Sequence, residues 1–441
     1  MGTASVLSDA EIAALLRLAA REMADTVAPS IAASYPGSVV RALSSVLDEV
    51  ALAVDRRNCP PSAAPRAADG LEALIAREAK LADDEIAAIA QAQDLDRAAI
   101  AKHSTDVALD QVNACLTRTG VLGDARATEI VRLPGGFSKE TYLISVDGGP
   151  DLVLRRDMPF GPVLGSATDE AGLLASLHAR GLPVPRVLLA ESDPAILGRA
   201  FLLVERVGGE NAGDIARGDA SAAADIALGL ARVLGGLHAI APVEVGIEQA
   251  GDAQAVVRDY LLSWRDYWLD RRLEEAPFLS EAIKWLLNNI PEDVERLVVV
   301  HGDARPDNML ALADGTVTAL LDWEFKHAGD AAEDVEYAWQ FVAGSVSREA
   351  FLDAYVAAGG VRYSERNAAF YAIWRDVRNL ICLDAGWSGF VREAYPIFSL
   401  GIPHTLFRRS LIKDLANAVA ALEQPADELS ASAHVPLDTG E

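Results

Sequence analysis

The sequence predicts an α/β protein of the α+β kind: antiparallel strands followed by a mainly helical region and preceded by an all-α bundle. Three observations predict this class. Short apolar runs separated by turn residues occur at 130–207 and again at 297–321, a pattern typical of strands joined by tight turns. Stretches with apolar residues at helical spacing fill most of 208–423. Residues 1–122 are rich in Ala, Leu and Glu, which favour helices.

Length, composition and charge restrict the classes of function. The chain has 441 residues, 51% of them hydrophobic, and a formal net charge of -26, so two or three domains with sizeable cores are expected. The negative charge argues against nucleic acid or an anionic membrane surface as the main partner. It is compatible with a cationic substrate, although an acidic surface also keeps many proteins in solution. The most apolar stretch, 220–238, is interrupted by Asp225 and Arg232, and we expect no membrane span.

The cysteines and the first residues predict a cytoplasmic protein. Cys59, Cys115 and Cys382 are far apart and form no CxxC pair, which favours reduced thiols over a disulfide framework or a zinc site. The chain begins MGTASVLSDAEIAALL, with acids where a secretory signal needs basic residues.

The order of predicted elements divides the chain into four parts. They are a helical bundle at 1–122, a strand-rich segment at 128–207, a mainly helical segment at 208–423 and a disordered tail at 424–441. The bundle contains no residue pattern that suggests catalysis. The tail is polar and contains proline, which favours disorder.

The strand-rich segment begins with a glycine turn. Strands are predicted at 130–133 and 143–146, and the connecting stretch reads PGGFSKETY. Gly135 and Gly136 would let backbone amides approach the phosphates of a nucleotide, because glycine has no side chain to block them. Alone, this pair would indicate an ordinary hairpin turn.

The most informative stretch is 298–324, which reads VVVHGDARPDNMLALADGTVTALLDWE. Asp303 and Asn308 lie in the polar loop after a predicted strand, and Asp322 follows the last strand. Transfer of the terminal phosphoryl group of ATP needs a carboxylate to orient and deprotonate the accepting hydroxyl, and oxygen ligands for magnesium. Asp303 suits the first role, and Asn308 with Asp322 suits the second.

The pattern HGDxxxxN followed by DWE resembles the signature of the aminoglycoside phosphotransferase and choline kinase superfamily, whose members are relatives of the protein kinases. The resemblance implies a bilobal protein-kinase-like fold, with an antiparallel-sheet N-lobe and a mainly helical C-lobe. It implies ATP and Mg²⁺ as cofactors, Asp303 as the catalytic base, and Asn308 and Asp322 as the metal ligands. His301 holds the loop in this pattern.

The same resemblance assigns a nucleotide loop. PGGFSKETY is similar to the loop that the family uses to contact phosphates, which places Gly135, Gly136 and Ser138 there. Lys139 stands where Asn is usual. It either adds a donor to the phosphates or points to water.

Four further residues complete the nucleotide site that the resemblance implies. Arg155 stands where kinases carry a lysine that contacts the phosphates, and Glu170 is its expected ion-pair partner. The alternative is that both are solvated surface charges. Backbone groups near Glu205 and Val207 are expected to hold the adenine edge.

Structural roles are expected for several other polar residues. We expect His238 to be a packed histidine, and Asp330 and Asp334 to cap and tether the helix that follows them. The stretch 256–273 carries aromatic residues at helical spacing together with four arginines. It is either a packing helix or a wall of the acceptor site whose arginines meet an anionic substrate.

The acceptor is a small-molecule hydroxyl in each catalytic interpretation. The stretches LVLRR and HGDARPDN resemble the branch associated with acyl-CoA dehydrogenases, which implies a hydroxyacyl-CoA. An aminoglycoside antibiotic is the alternative. An acidic acceptor pocket would favour the antibiotic, and a basic pocket would favour the thioester. A non-catalytic binding protein on a kinase fold is a third hypothesis, prompted by Arg155 in place of lysine.

The helical bundle at 1–122 resembles a family of small helical proteins encoded beside certain kinases of this superfamily. The resemblance implies an accessory domain that packs on the kinase part or mediates self-association. The alternative is an unrelated bundle that only packs on the kinase.

Overall fold

The computed structural model describes residues 107–133, 138–160, 165–249, 251–273, 275–294 and 296–392, together with 394 and single positions between 404 and 419. The chain divides into two compact units, one comprising Met1–Thr105 with Gly389–Leu406 and the other Asp106–Ser388 with Phe407–Glu441. The predictions for residues 1–106, for Gly135 and Gly136 and for the tail lie outside the described residues.

A five-stranded antiparallel sheet forms the first lobe of the second unit. Its strands lie in the order β1-β2-β3-β5-β4. They are β1 Arg126–Arg132, β2 Lys139–Asp147, β3 Leu152–Asp157, β4 Val187–Glu191 and β5 Phe201–Glu205. Side chains alternate between the two faces of a strand. On β3, Leu152 and Leu154 therefore join the core on one face, while Val153 packs on the core of the second lobe. Arg155 shares the face of Val153.

The outer face of the sheet is covered by helix α1, Leu109–Thr119. Val112, Cys115 and Leu116 of this helix are buried in one cluster with Tyr142 and Ile144 of β2. The helical pattern of 1–122 predicts this segment as part of the N-terminal bundle. The structure places it in the same compact unit as the strands, which begins at Asp106. The bundle itself stays a prediction.

Two short helices and a longer one connect the strands. They are a 3₁₀ helix at Ala167–Glu170 that leads into α2, Ala171–Ala179, and the one-turn helix α3, Pro194–Leu197. Ser166 caps the 3₁₀ helix, and its side chain accepts from the Thr168 N–H. This turn delivers Glu170, which is buried, to the inner face of the sheet.

The second lobe is mainly helical, as predicted. Its helices are α4 Ala212–Gly218, α5 Ala220–His238, α6 Ala253–Arg271, α7 Pro277–Asn288, α8 Ala331–Val342, α9 Arg348–Ala357 and α10 Glu365–Val391. Among the described helices, α5 alone is long and apolar enough to span a membrane by length and composition. A core helix has the same properties, and α5 lies in the largest buried cluster, where Ile226, Leu230 and Leu234 are inaccessible to solvent.

Five short strands shape the second lobe next to the sheet. They are β6 Glu210–Asn211, β7 Val298–Val300, β8 Met309–Ala311, β9 Val317–Leu320 and β10 His327–Gly329. β7 pairs with β10, and β8 pairs with both β6 and β9. The apolar runs at 297–300, 309–312 and 316–321 predict three strands, and these are present as β7, β8 and β9 with ends that differ by at most one residue. The polar loop between β7 and β8 therefore has a fixed start and a fixed end.

Replacing Leu116 by alanine tests the docking of α1. Leu116 is 3% exposed, so Leu116→Ala should lower the free energy of unfolding by about 2–5 kcal/mol, because it removes buried contacts and leaves a cavity. Val131 on β1 is 44% exposed, and Val131→Ala should cost about 0.5 kcal/mol or less. Urea unfolding of both variants measures the difference, and equal costs would contradict the docking.

Candidate active site

One buried carboxylate fixes the backbone of the loop after β7. Asp334, on the first turn of α8, accepts the backbone N–H groups of His301 and Gly302, each at 2.7 Å. His238 Nε2 lies 3.2 Å from the same carboxylate. Burial would raise the pKa of Asp334, but hydrogen bonding to His238 and the charges of His238 and His301 hold it below its ordinary value. Asp334 therefore tethers the loop, whereas Asp330 caps α8 as expected, through the Ala332 N–H.

The tautomer of His238 follows from its two hydrogen-bond partners. Tyr355 accepts the Val361 N–H, so its hydroxyl hydrogen is free to donate to His238 Nδ1, 2.8 Å away. His238 Nε2 then carries the proton that faces Asp334. His238 is fully buried, which confirms the expectation of a packed histidine.

His301 joins the loop to the next strand. Its Nδ1 accepts the Asp303 N–H at 3.1 Å, and its Nε2 lies 2.9 Å from the carbonyl of Leu321. Gly302 has φ +86°, and a Cβ there would lie 2.6 Å from Phe325 Cβ. Only glycine fits this position without displacing Phe325. The glycine of the HGD motif is therefore required for steric reasons.

Asp303 and Asn308 are joined by the amide nitrogen of Asn308. This Nδ2 donates to the Asp303 carbonyl at 2.9 Å and to Asp303 Oδ2 at 2.7 Å. An amide that donates through its nitrogen leaves its oxygen for another partner. The geometry thus directs the Asn308 oxygen away from Asp303 and leaves it for a cation.

Asp322 lies beside Asn308 because the Leu321 N–H donates to the Asn308 carbonyl at 2.8 Å. Asp322 has φ +68°, and among the described residues no other non-glycine residue has a positive φ. A non-glycine residue in this region is strained and persists only where its surroundings hold it. Its carboxylate meets the first lobe, where Oδ1 accepts from Arg155 Nη2 at 2.7 Å.

Arg155 bridges two acids. Its Nη1 donates to Glu170 Oε2 at 2.6 Å while its Nη2 pairs with Asp322. Burial would lower the pKa of Arg155, but the charges of Glu170, Asp322 and Glu324 raise it above its ordinary value. The expected Arg155–Glu170 pair is present, and the alternative of two solvated charges is wrong. The added contact with Asp322 links the sheet to the second lobe.

Ser138 directly precedes β2 and Lys139 begins it, and both are buried. The Lys139 amine donates to the Gly165 carbonyl at 2.6 Å and the residue is buried, so the side chain does not point to water. Its contact with phosphates stays a prediction. The Ser138 hydroxyl acts on the Glu324 carboxyl and opposes the rise of its pKa. Both residues therefore line the region between the sheet and the DWE stretch.

Glu324 belongs to the site although the sequence analysis gave it no role. Its Oε2 is buried without a hydrogen-bond partner. Burial, followed by the charge of Asp322, raises the pKa of Glu324 to about 7, against the Ser138 hydrogen bond and the charges of Lys139 and Arg155. Its position in DWE, two residues after a predicted metal ligand, was the available signal.

The end of β5 has one free backbone position. The Glu205 N–H donates to the Arg186 carbonyl and the Arg206 N–H to the Asp151 carbonyl, so the Glu205 N–H is not available to a ligand. Among the described residues, the backbone of Val207 has no hydrogen-bond partner. Of the two predicted adenine-binding positions, only Val207 keeps a free backbone donor.

The donor set fits magnesium. The Asp322 carboxylate and the Asn308 amide oxygen are hard ligands, and Mg²⁺ takes few ligands from protein and keeps several waters. No cluster of three or more His, Cys, Asp and Glu that could hold a metal ion occurs in the described part of the chain. The orphaned Glu324 Oε2 gives the same region a further oxygen.

The surroundings of Asp303 Oδ1 are aromatic and basic. The Tyr337 hydroxyl donates to Asp303 Oδ1, and Arg305 Nε lies 3.6 Å from the same oxygen. The Arg305 guanidinium lies over the ring of Phe341 at 5.7 Å, and Phe341 is 40% exposed. An exposed aromatic ring and a cation thus lie beside the proposed base.

The aromatic helix predicted at 256–273 is α6, and it packs into the second lobe. Trp268 is 1% exposed, and Tyr260 and Trp264 pack on the same buried cluster. The three arginines of α6 and Arg272, which follows it, all have partners within the second lobe. Those partners are the Leu287 carbonyl for Arg258, Asp266 for Arg265, Asp270 for Arg271 and Glu275 for Arg272. The packing interpretation is confirmed, and the arginines give no support for an anion-binding wall.

Comparison with known proteins agrees with this geometry. The profile of the phosphotransferase enzyme family APH matches residues 129–371. The chain belongs to this family. The resemblance inferred from HGDxxxxN and DWE is confirmed, and ATP and magnesium binding are typical of APH phosphotransferases.

Relatives of this APH phosphotransferase include acyl-CoA dehydrogenase family member 11 from Gallus gallus, 31% identical over 49% of this chain and 28% of the relative. The Homo sapiens protein of that name is 24% identical over 72% of this chain and 42% of the relative. The chain thus spans less than half the length of these relatives. A solved structure of a candidate aminoglycoside phosphotransferase from Ralstonia eutropha JMP134 superposes with a TM-score of 0.53 at 20% identity, covering 68% of this chain and 98% of that chain. It confirms the kinase-like fold.

The titration of Glu324 gives a testable pH dependence. The folded protein keeps the Glu324 proton up to about pH 7, whereas the ordinary pKa is 4.5. Between these values the folded state holds more protons than the unfolded chain, so the free energy of unfolding falls as the pH rises. Glu324→Gln removes this titration and should make the fall smaller. Urea unfolding from pH 4.5 to 7 measures it, and identical slopes in both proteins would contradict the assignment.

Proposed function

We propose that this APH phosphotransferase transfers the γ-phosphoryl group of ATP, with Mg²⁺, to a hydroxyl group of a small molecule. The observation that carries the proposal is the arrangement of Asp303, Asn308 and Asp322. Asp303 is held by the Asn308 amide nitrogen, which leaves the Asn308 oxygen for a cation, and Asp322 keeps one carboxylate oxygen besides the one paired with Arg155. A small-molecule kinase needs these groups in this order.

The side chains would divide the work. Asp303 orients the acceptor hydroxyl and accepts its proton, held by Asn308 on one oxygen. Asn308 and Asp322 would hold magnesium, which when bound neutralises charge on the phosphates. Arg155 is always charged and offers two N–H groups on each side of its fork, so it can steady phosphate oxygens while staying paired with Glu170. Most of the catalysis would come from positioning and charge neutralisation.

A hydroxyacyl-CoA is the acceptor that we favour. Relatives are named as acyl-CoA dehydrogenase family members, which links this kind of domain to acyl-CoA chemistry. The exposed ring of Phe341 suits an apolar acyl chain, and Arg305 suits a thioester carbonyl or an anionic group. An aminoglycoside is a polycation and would be repelled by Arg305. The basic and aromatic acceptor side therefore favours the thioester over the antibiotic.

Asp303→Asn tests the proposed base. The amide cannot accept the proton, so the rate of ADP release with Mg-ATP and a hydroxyacyl-CoA should fall roughly 100- to 10,000-fold. Asp307→Asn is the matched control, because Asp307 lies in the same loop but pairs with Arg217. The control should keep the wild-type rate.

The acceptor panel distinguishes the hypotheses. It contains hydroxyacyl-CoAs, free hydroxy acids, aminoglycosides and choline-like alcohols. Turnover with the thioesters alone supports the proposal, whereas turnover with aminoglycosides alone would replace the acceptor. Magnesium-dependent ATP binding with no turnover on any acceptor would favour a non-catalytic binding protein.

A further inference from the structure

Tyr337 is a buried residue for which the sequence offered no role, and it contacts the proposed base directly. Its hydroxyl donates to Asp303 Oδ1, while Asn308 donates to Oδ2. The two oxygens of one carboxylate are thus each held by a different donor. A carboxylate held on both oxygens cannot rotate about its Cβ–Cγ bond without losing a hydrogen bond to a charged group.

Tyr337 is itself firmly placed. It is 8% exposed, and its ring lies 5.5 Å from Phe341 and 4.8 Å below the guanidinium of Arg378. Arg378 is buried and pairs with Glu333 at 3.6 Å. Burial, followed by the charge of Asp303, raises the pKa of Tyr337, so the phenol keeps its proton and acts as a donor.

One helix face supports both the backbone and the side chain of the catalytic loop. Asp334 and Tyr337 are three residues apart on α8 and therefore lie on the same face. Asp334 holds the N–H groups of His301 and Gly302, and Tyr337 holds the Asp303 carboxylate. The position of the Asp303 carboxylate relative to the loop backbone is thus set by α8, a rigid element outside the loop.

We propose that Tyr337 is a positioning residue for the phosphoryl transfer, which holds the Asp303 carboxylate in the orientation that receives the acceptor hydroxyl. The inference rests on the proposed function but adds a residue that the family signature does not contain. The phenol acts through Asp303 and leaves the nucleotide side, formed by Arg155, Asn308 and Asp322, untouched. Its loss should therefore change the chemical step and not nucleotide binding.

Tyr337→Phe tests this, because it keeps the ring against Phe341 and Arg378 and removes only the hydroxyl. With Mg-ATP and a hydroxyacyl-CoA, kcat should fall about ten- to a hundred-fold, the range expected for losing a hydrogen bond to a charged group. The KM values for ATP and for the acceptor should change less than about two-fold, since uniform binding is unaffected.

Tyr363→Phe is the matched control. The Tyr363 hydroxyl also donates to a carboxylate, Glu336 Oε1 at 2.8 Å, but not to the catalytic loop. Its kcat should equal that of the wild type. Equal kcat in Tyr337→Phe and wild type, or a rise in KM without a fall in kcat, would overturn the inference while the proposed function stands.

A double-mutant cycle, measured by thermal unfolding, tests the hydrogen bond between Tyr337 and Asp303 without turnover. Tyr337→Phe should lower the melting temperature in the wild-type background and lower it less in an Asp303→Ala background, because the partner is already absent. Equal shifts in the two backgrounds would overturn the inference. Absence of phosphoryl transfer by the wild-type protein to every acceptor would instead overturn the proposed function. The double-mutant cycle would still show whether Tyr337 and Asp303 are hydrogen-bonded.

Discussion

The Asp334 carboxylate is the constraint on which the candidate site depends. It accepts two backbone N–H groups of the loop and faces His238, all within a fully buried region. A buried carboxylate with fewer partners would be costly, so the loop, α5 and α8 must come together for Asp334 to be satisfied. The same requirement fixes His301 and, through the Leu321 carbonyl, brings the segment before Asp322 against the loop.

The second constraint is the bridge between the lobes. Arg155 connects Glu170 of the first lobe with Asp322 of the second. In many kinases a lysine serves the first contact, and the planar fork of arginine lets one residue serve both. The departure from the usual lysine is therefore compatible with an intact site, and it weakens the argument for a non-catalytic protein.

The sequence predicted candidate residues that lie close together in the chain. It did not predict contacts between residues that are distant in the chain and meet only in the folded protein. Asp303, Asn308 and Asp322 follow predicted strands, so their spacing alone located them. Tyr337 shares no sequence window with Asp303, and only the docking of α8 on the loop brings them together. For Lys139, the direction of the side chain excludes the position in water, because the buried amine donates to a backbone carbonyl. Similarly, nothing in the sequence distinguishes a bundle helix from α1, whose apolar face fits the outer face of the sheet.

Magnesium-dependent binding of ATP, measured by titration calorimetry, tests the proposed magnesium site without relying on the acceptor or on turnover. We expect ATP to bind the wild-type protein much more tightly with Mg²⁺ than without it. We expect Asp322→Asn to lose most of this difference, because a charged ligand of the cation becomes neutral. ATP binding of equal strength with and without Mg²⁺, or no ATP binding by the wild-type protein, would contradict the assignment of Asn308 and Asp322 as a magnesium site for phosphoryl transfer.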